Sequence, residues 1–234
     1  MLIEKLAWDS SFFNINIGKV NPGCFNSETF FKEISNFDLI YIFEFPESVL
    51  IPDIEKYCNA PVDVKVNYAK SISHADIIDE HITEYSCDEA NDELISLGIQ
   101  SGLHSRFKTD PHFPSGAYEK LYTEWVIRSA DKTLADCTLT YKTELDKIAG
   151  FITVALRGEA AHIGLIAVDE SSRGKGIGKK LLQAAEYHAC KHNFRQLRVS
   201  TQKANATASY LYEHFGFVAV EEINVYHYWN HPSH

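Results

Sequence analysis

The chain has 234 residues, 45% hydrophobic and 12% aromatic, and a formal net charge of -10. That apolar content excludes a disordered chain, and the acidic balance excludes nucleic acid as a general partner, because it repels phosphate backbones. The five cysteines are odd in number and show no CxxC spacing, which argues against a disulfide framework or a metal site.

In chain order, residues 13–20 read as a strand closed by Asn21-Pro22-Gly23, a turn signal. Residues 39–45 form a β-rich run that stops at Pro46, and residues 62–68 alternate apolar and polar side chains as a half-buried strand does. A polar stretch over 71–92 places a boundary near residue 85, giving an N-terminal α/β region over 1–85 and a second domain over 86–234. Helices are predicted over 88–105 and 115–128, then strands over 133–141, 148–156 and 160–168. The last of these is almost wholly apolar, the pattern of a strand buried on both faces. A helix over 176–192, a strand over 196–202, a helix over 206–215 ended by Gly216, and one or two strands over 217–229 complete the chain. No apolar run approaches the ~18 residues that a membrane span requires. The opening residues lack the basic-then-apolar order of a signal peptide. A cytoplasmic protein without a membrane partner is the expectation.

The strand ending at Val168 leads through Arg173-Gly174-Lys175-Gly176-Ile177-Gly178-Lys179 into a helix. Strand, glycine-rich turn and helix N-terminus together make a phosphate site: free N–H groups point outward and the helix dipole adds positive charge. The glycines allow close approach of an anion, and Arg173, Lys175 and Lys179 add full charges. The dinucleotide fingerprint fails because Lys179 stands where glycine is needed; the P-loop fails because positions 173 and 180 are Arg and Lys. A glycine-rich surface turn remains the plainer reading of these residues taken alone.

Arg-x-x-Gly-x-Gly after an apolar strand resembles the acetyl-CoA-binding motif of the GNAT superfamily of N-acetyltransferases. Asn205-x-x-Ala208-x-x-Leu211-Tyr212-x-x-x-Gly216-Phe217 is similar to the helix that follows in that family, and the two motifs stand in family order. The resemblance implies an α/β (α+β) fold with a mixed, mostly antiparallel twisted sheet flanked by helices, beside a smaller N-terminal α/β domain. It implies acetyl-CoA as cofactor, its pyrophosphate held by the loop. Its arm would lie in a cleft between two splayed strands, along Ile166, Ala167 and Val168. Asn205 matches the position that bonds this arm, and equally suits a helix N-cap. Tyr212 matches the position whose hydroxyl protonates the departing thiolate after direct attack of an amine on the thioester. A phenol of pKa about 10 suits that task at neutral pH. His104, His112 and His162 are candidates for a base by residue type alone.

Trp8-Asp9-Ser10-x-Phe12-Phe13, His104-Ser105-Arg106-Phe107 through Pro111-x-Phe113, Tyr122-x-x-Trp125 and Tyr226-His227-Tyr228-Trp229 resemble one branch of the superfamily. That branch acetylates nucleotide-linked 4-amino-4,6-dideoxy sugars, with TDP-fucosamine acetyltransferase as its reference activity. The likeness implies a small-molecule amine acceptor, a sugar nucleotide. Arg106 would pair a phosphate, and Phe107, His112 and Tyr122 would line the acceptor site. A surface ion pair for Arg106 and core packing for the aromatics are the alternatives. Polyamines, antibiotics and protein N-termini are alternative acceptors, which an acidic chain also suits, and a non-catalytic cofactor sensor is a third reading. Edge-strand pairing into a homodimer is compatible with such a sheet.

Overall fold

The computed structural model describes residues 2–73, 78–87 and 89–230. The chain opens with a short strand, β1 (Glu4–Lys5), and a helix, α1 (Ala7–Phe13), followed by β2 (Ile17–Val20). The strand expected from residue 13 therefore starts four residues later. Asn14 takes a left-handed φ of 55° and ends α1, and the aromatics before it are helical. Trp8 stacks on Phe12 and Phe13 on Phe107, so these rings follow helical spacing and do not alternate across a strand. Then come α2 (Ser27–Glu33), β3 (Leu39–Glu44), α3 (Ile51–Cys58), β4 (Asp63–Ser71) and β5 (Ile82–Glu84).

The second part contains α4 (Asp92–Ser101), a single turn α5 (Arg106–Thr109), α6 (Ala117–Ala130), β6 (Cys137–Lys142), β7 (Ile148–Arg157) and β8 (Ala160–Val168). It continues through α7 (Ile177–Lys191), β9 (Gln196–Gln202), α8 (Ala206–His214) and one long final strand, β10 (Val218–Trp229). Asn91 caps α4 and Asn205 caps α8 through their side-chain oxygens. The start of the helix expected at residue 88 lies outside the described residues.

Among the described residues the strands join one ten-stranded sheet in the order β1-β2-β3-β10-β4-β9-β8-β7-β6-β5. Only β2–β3 and β8–β9 are parallel; the other neighbours run antiparallel. The boundary expected near residue 85 marks no break in this sheet. β5 pairs with β6, β4 pairs with β9, and β10 inserts between β3 and β4. The core follows the same weave. One cluster on the α7–α8 face joins Val66 and Tyr68 of β4 to Leu181, Ala185 and Tyr212. On the opposite face Leu39 and Tyr41 of β3 pack with Leu97, Leu121 and Phe151.

The feature that matters for function is in the middle of the sheet. β8 pairs with β9 only at Ala161–Leu197, His162–Arg198 and Ile163–Val199. Beyond Ile163 the two strands part. On the other edge of β8, the register with β7 shifts between Ile152 and Val154, so that Gly164 and Leu165 together oppose Thr153. This is a β-bulge, which bends the strand that carries it. Thr153 Oγ1 accepts from Leu165 N–H at 2.9 Å, closing the bulge. A Cβ on Gly164 would meet the same oxygen at 2.9 Å, so glycine lets the strand pass. Gly164 is also exposed, unlike the rest of its strand, because it faces the groove that the bend opens.

Candidate active site

Past the bulge, β8 presents an unpaired edge. Asp169 N–H donates to Ala149 O at 2.9 Å. Antiparallel pairs alternate between bonded and non-bonded residues, so Ala167 also bonds across to β7. The N–H groups of Ile166 and Val168 therefore point into the space that β9 has vacated. The Val168 carbonyl is occupied by Arg173 Nε at 3.2 Å, which ties the loop to the strand end. An extended amide chain laid in this cleft would find main-chain donors and acceptors at the spacing of a missing strand.

The loop meets the cleft at its end. Gly174 and Gly176 have φ of 77° and 78°, and nothing lies within 4 Å of a Cβ built on either. Their conformation demands glycine, and the space above them is open. Lys180 N–H closes back onto Gly176 O at 3.2 Å, which leaves the N–H groups of Ile177, Gly178 and Lys179 as the free donors of a first helical turn. The Ile177 side chain is buried in the core, so this residue offers its backbone only. Arg173, Lys175 and Lys179 are exposed around the loop. Lys180 points elsewhere, paired with Asp79 at 2.9 Å. Loop, strand edge and open glycine cradle fit a pyrophosphate followed by an amide-bearing arm.

Two cavities meet at Tyr212. The first, about 190 Å³, runs from Arg173 and Gly178 past Ile166 and Val168 to Asn205 and Tyr212. The second, about 200 Å³, is lined by Arg106, Tyr122, Gly164, Gln202 and again Asn205 and Tyr212. Phe107 also borders the second cavity, though its ring is buried against Phe13, Phe113 and Trp125. Tyr212 reaches this junction because α8 starts at a firm cap and ends at a firm stop. Asn205 Oδ1 accepts from Ala208 N–H at 3.1 Å. At the other end Phe217 N–H donates to Tyr212 O at 3.0 Å, around Gly216 with φ of 93°. Both roles suggested for Asn205 are open to it: its oxygen caps the helix while its residue borders both cavities. Burial, reinforced by neighbouring Tyr68, raises the Tyr212 pKa, so the group stays a neutral phenol at physiological pH.

Arg106 lies over the rings of Tyr41 and Phe107, at 4.8 and 4.5 Å from their centroids. Among the described residues no carboxylate lies within ion-pair distance of it, which sets aside the surface ion pair. Asp63, at the head of β4, has its carboxyl pushed up to about 6 by burial, against the pull of Arg106.

His112 does not join this group. It stacks on Trp229 and, with Asp110, lines a separate cavity that also includes Asn59, Val62 and His227. The reason is local: Asp110 Oδ1 accepts from both the backbone N–H and Nδ1 of His112, at 3.0 and 2.8 Å, turning the ring outward. His104 borders the cofactor-side cavity and His162 a different groove beside Trp125 and Leu134. Sequence reasoning missed Gly164, hidden in an apolar run, and the Asp110–His227 pair, whose members lie 117 residues apart.

Residues 101–217 match the model of the acetyltransferase (GNAT) family. The chain belongs to that family, whose members use acetyl-CoA. Among curated proteins it is similar to the spore coat polysaccharide biosynthesis protein SpsD of Bacillus subtilis, with 26% identity over 137 residues, 58% of this chain and 46% of that one. It is also similar to N-alpha-acetyltransferase 30 of Saccharomyces cerevisiae, with 34% identity over 74 residues, 32% of this chain and 40% of the other. The chain thus spans less than half the length of either relative. A GCN5-related N-acetyltransferase from Sphaerobacter thermophilus shares the fold, with a TM-score of 0.57 and 17% identity over 81% of this chain and 59% of that one.

Proposed function

We propose that the protein is an acetyl-CoA-dependent N-acetyltransferase whose acceptor is the amine of a nucleotide-linked 4-amino-4,6-dideoxy sugar. The observation that carries this reading is that two cavities share Tyr212 in their lining. One cavity ends in an anion loop and an open strand edge; the other holds an arginine without a carboxylate partner. Bound acetyl-CoA supplies the activated acetyl thioester. The loop donors at Ile177, Gly178 and Lys179 would hold its phosphates, and the free N–H groups of Ile166 and Val168 would orient its arm and supply donors for the thioester carbonyl. In the transfer a bond would form between the acceptor nitrogen and the acetyl carbon and the carbon–sulfur bond would break; sulfur would take the Tyr212 proton as negative charge develops there, and the proton shed by the acceptor nitrogen would return through solvent to restore the phenol.

The similarity to the yeast N-alpha-acetyltransferase 30 favours a second reading, in which the acceptor is an α-amine such as that of a peptide. The sugar-nucleotide reading is preferred because Arg106 places positive charge in the acceptor cavity, where it attracts a phosphate and repels a cationic acceptor. The relative named for polysaccharide biosynthesis also aligns with more of the chain. The test is coenzyme A release from acetyl-CoA against a panel of TDP- and UDP-linked 4-amino-4,6-dideoxyhexoses, polyamines and peptides. Turnover on a sugar nucleotide supports the reading. Turnover confined to polyamines or peptides overturns it.

A further inference from the structure

Arg106 Nε, Tyr41 Oη and His227 Nε2 are buried without a hydrogen-bond partner. They belong to one stack. Tyr41 and His227 oppose each other in the β3–β10 register, with ring centroids 5.0 Å apart. The Arg106 guanidinium lies 4.8 Å from the Tyr41 ring. Buried polar groups rarely stay unpaired, and these three are complementary. Their hydrogen-bonding roles follow from what lies behind them.

Asp110 fixes the histidine. Its Oδ2 accepts from His227 Nδ1 at 2.6 Å and from Trp229 Nε1 at 2.9 Å, while Oδ1 takes the two bonds from His112. Burial opposes the Asp110 charge, but the bonds from His227, His112 and Trp229 outweigh it and hold the carboxyl well below its usual range. An ionised carboxylate only accepts, so His227 carries its proton on Nδ1 and keeps a lone pair at Nε2. Burial, with Arg106 nearby, pushes the His227 pKa down to about 4 despite Asp110. His227 is therefore a fixed neutral acceptor and a poor base. Across the Tyr41 ring from these contacts are a donor that cannot lose its proton, Arg106 Nε–H, and the Tyr41 hydroxyl, which serves either way and is itself within reach of Arg106. Direct contact or one bridging water closes the set.

We propose that Asp110 and His227 are positioning residues for Arg106. They anchor its Nε edge so that both terminal amino groups face the acceptor cavity as a fixed fork for a phosphate oxyanion of the acceptor. This rests on the acceptor reading above, and it explains why a chain of net charge -10 keeps one guanidinium free of carboxylates in that cavity. A planar fork held along one edge is the geometry that binds two oxygens at once.

The probe is inorganic pyrophosphate, titrated calorimetrically into the full-length protein with saturating coenzyme A, which occupies the loop before α7. Wild type is expected to bind and Arg106→Ala to lose binding. Asp110→Asn keeps one accepting oxygen for the four donors that Asp110 serves and removes the charge, so the hold on the His227 tautomer loosens. Affinity should fall at least about ten-fold. His227→Leu should do the same, while His227→Gln, whose side-chain oxygen accepts in place of Nε2, should retain more. Melting temperature and coenzyme A affinity report whether each variant is folded, and the Leu and Gln variants decide the matter if Asp110→Asn is not. Absence of binding by wild type, or wild-type affinity in His227→Leu, overturns the proposal, as does equal loss in the Leu and Gln variants. Pyrophosphate binding as expected, with no turnover of any sugar nucleotide, removes the acceptor reading alone. Sugar-nucleotide turnover with an unchanged acceptor KM in His227→Leu removes the positioning role alone.

Discussion

A phenol buried beside a second phenol holds its proton more tightly than one in water, and Tyr212 is such a group. It stays protonated throughout the neutral range, so its hydroxyl remains a hydrogen-bond donor there. Tyr212→Phe keeps the ring and its packing and removes the acid. Steady-state assays should show kcat reduced about 100-fold or more, with calorimetric affinity for acetyl-CoA unchanged. Unaltered kcat would remove Tyr212 from the chemistry. Gly176 makes a different kind of contribution. Its φ of 78° is a conformation that L side chains avoid, and the space where a Cβ would sit is open. Gly176→Ala is expected to cost about 1 kcal/mol of stability and to weaken coenzyme A binding beyond that; equal affinity in calorimetry would contradict the placement of the phosphates. At this scale the glycine-rich turn into α7 and the inward side of Tyr212 were legible because the residues that set them sit close in sequence. The surroundings of Arg106 were not, since Tyr41 and His227 come from segments far from it in sequence.

Among the elements, α8 shows how a single residue serves structure and site together. Asn205→Ala removes the cap and should cost about 1 kcal/mol in denaturant unfolding. Asn205→Asp retains the capping oxygen and replaces the free amide with a second oxygen. Stability should recover in the Asp variant while the KM for acetyl-CoA stays raised. Recovery of both would mean that Asn205 only caps. Local pattern was a good guide for such elements: β8 and β9 begin and end where the sequence indicates, because apolar runs bounded by turns and glycine-rich loops report directly on burial. It was a poor guide to α1, where aromatic side chains suit strand and helix equally and only the left-handed Asn14 decides. The Gly164 bulge was illegible for a related reason. An extra residue in a ladder is defined by its partner strand, and no pattern within one strand reveals it.

Across the whole molecule, the N-terminal segment is woven into the same sheet as the family motifs, through β10 between β3 and β4. That pairing spans most of the chain, and no periodicity reports it. The splay of β8 from β9 divides the sheet, and an arm lying there would bridge the two parts. Acetyl-CoA at about 100 times its dissociation constant should therefore stabilise the fold by about 2.7 kcal/mol, read as a rise in melting temperature; no rise would contradict binding in the cleft. Protons act on the same sheet with opposing signs. His227, pushed down to about 4, binds fewer protons folded than unfolded between pH 6.5 and about 4, so its share of stability falls as pH is lowered through that window. Asp63, pushed up to about 6, contributes the reverse trend over the lower part of that window. Comparing wild type with His227→Gln isolates the first effect: their difference in stability should narrow on acidification from pH 7 to 4.5, and a constant difference would exclude it. Both cavities border Tyr212, so the proposed function predicts direct transfer in a ternary complex. Initial rates measured while varying both substrates should give intersecting double-reciprocal lines; parallel lines, the mark of a covalent ping-pong route, would contradict it.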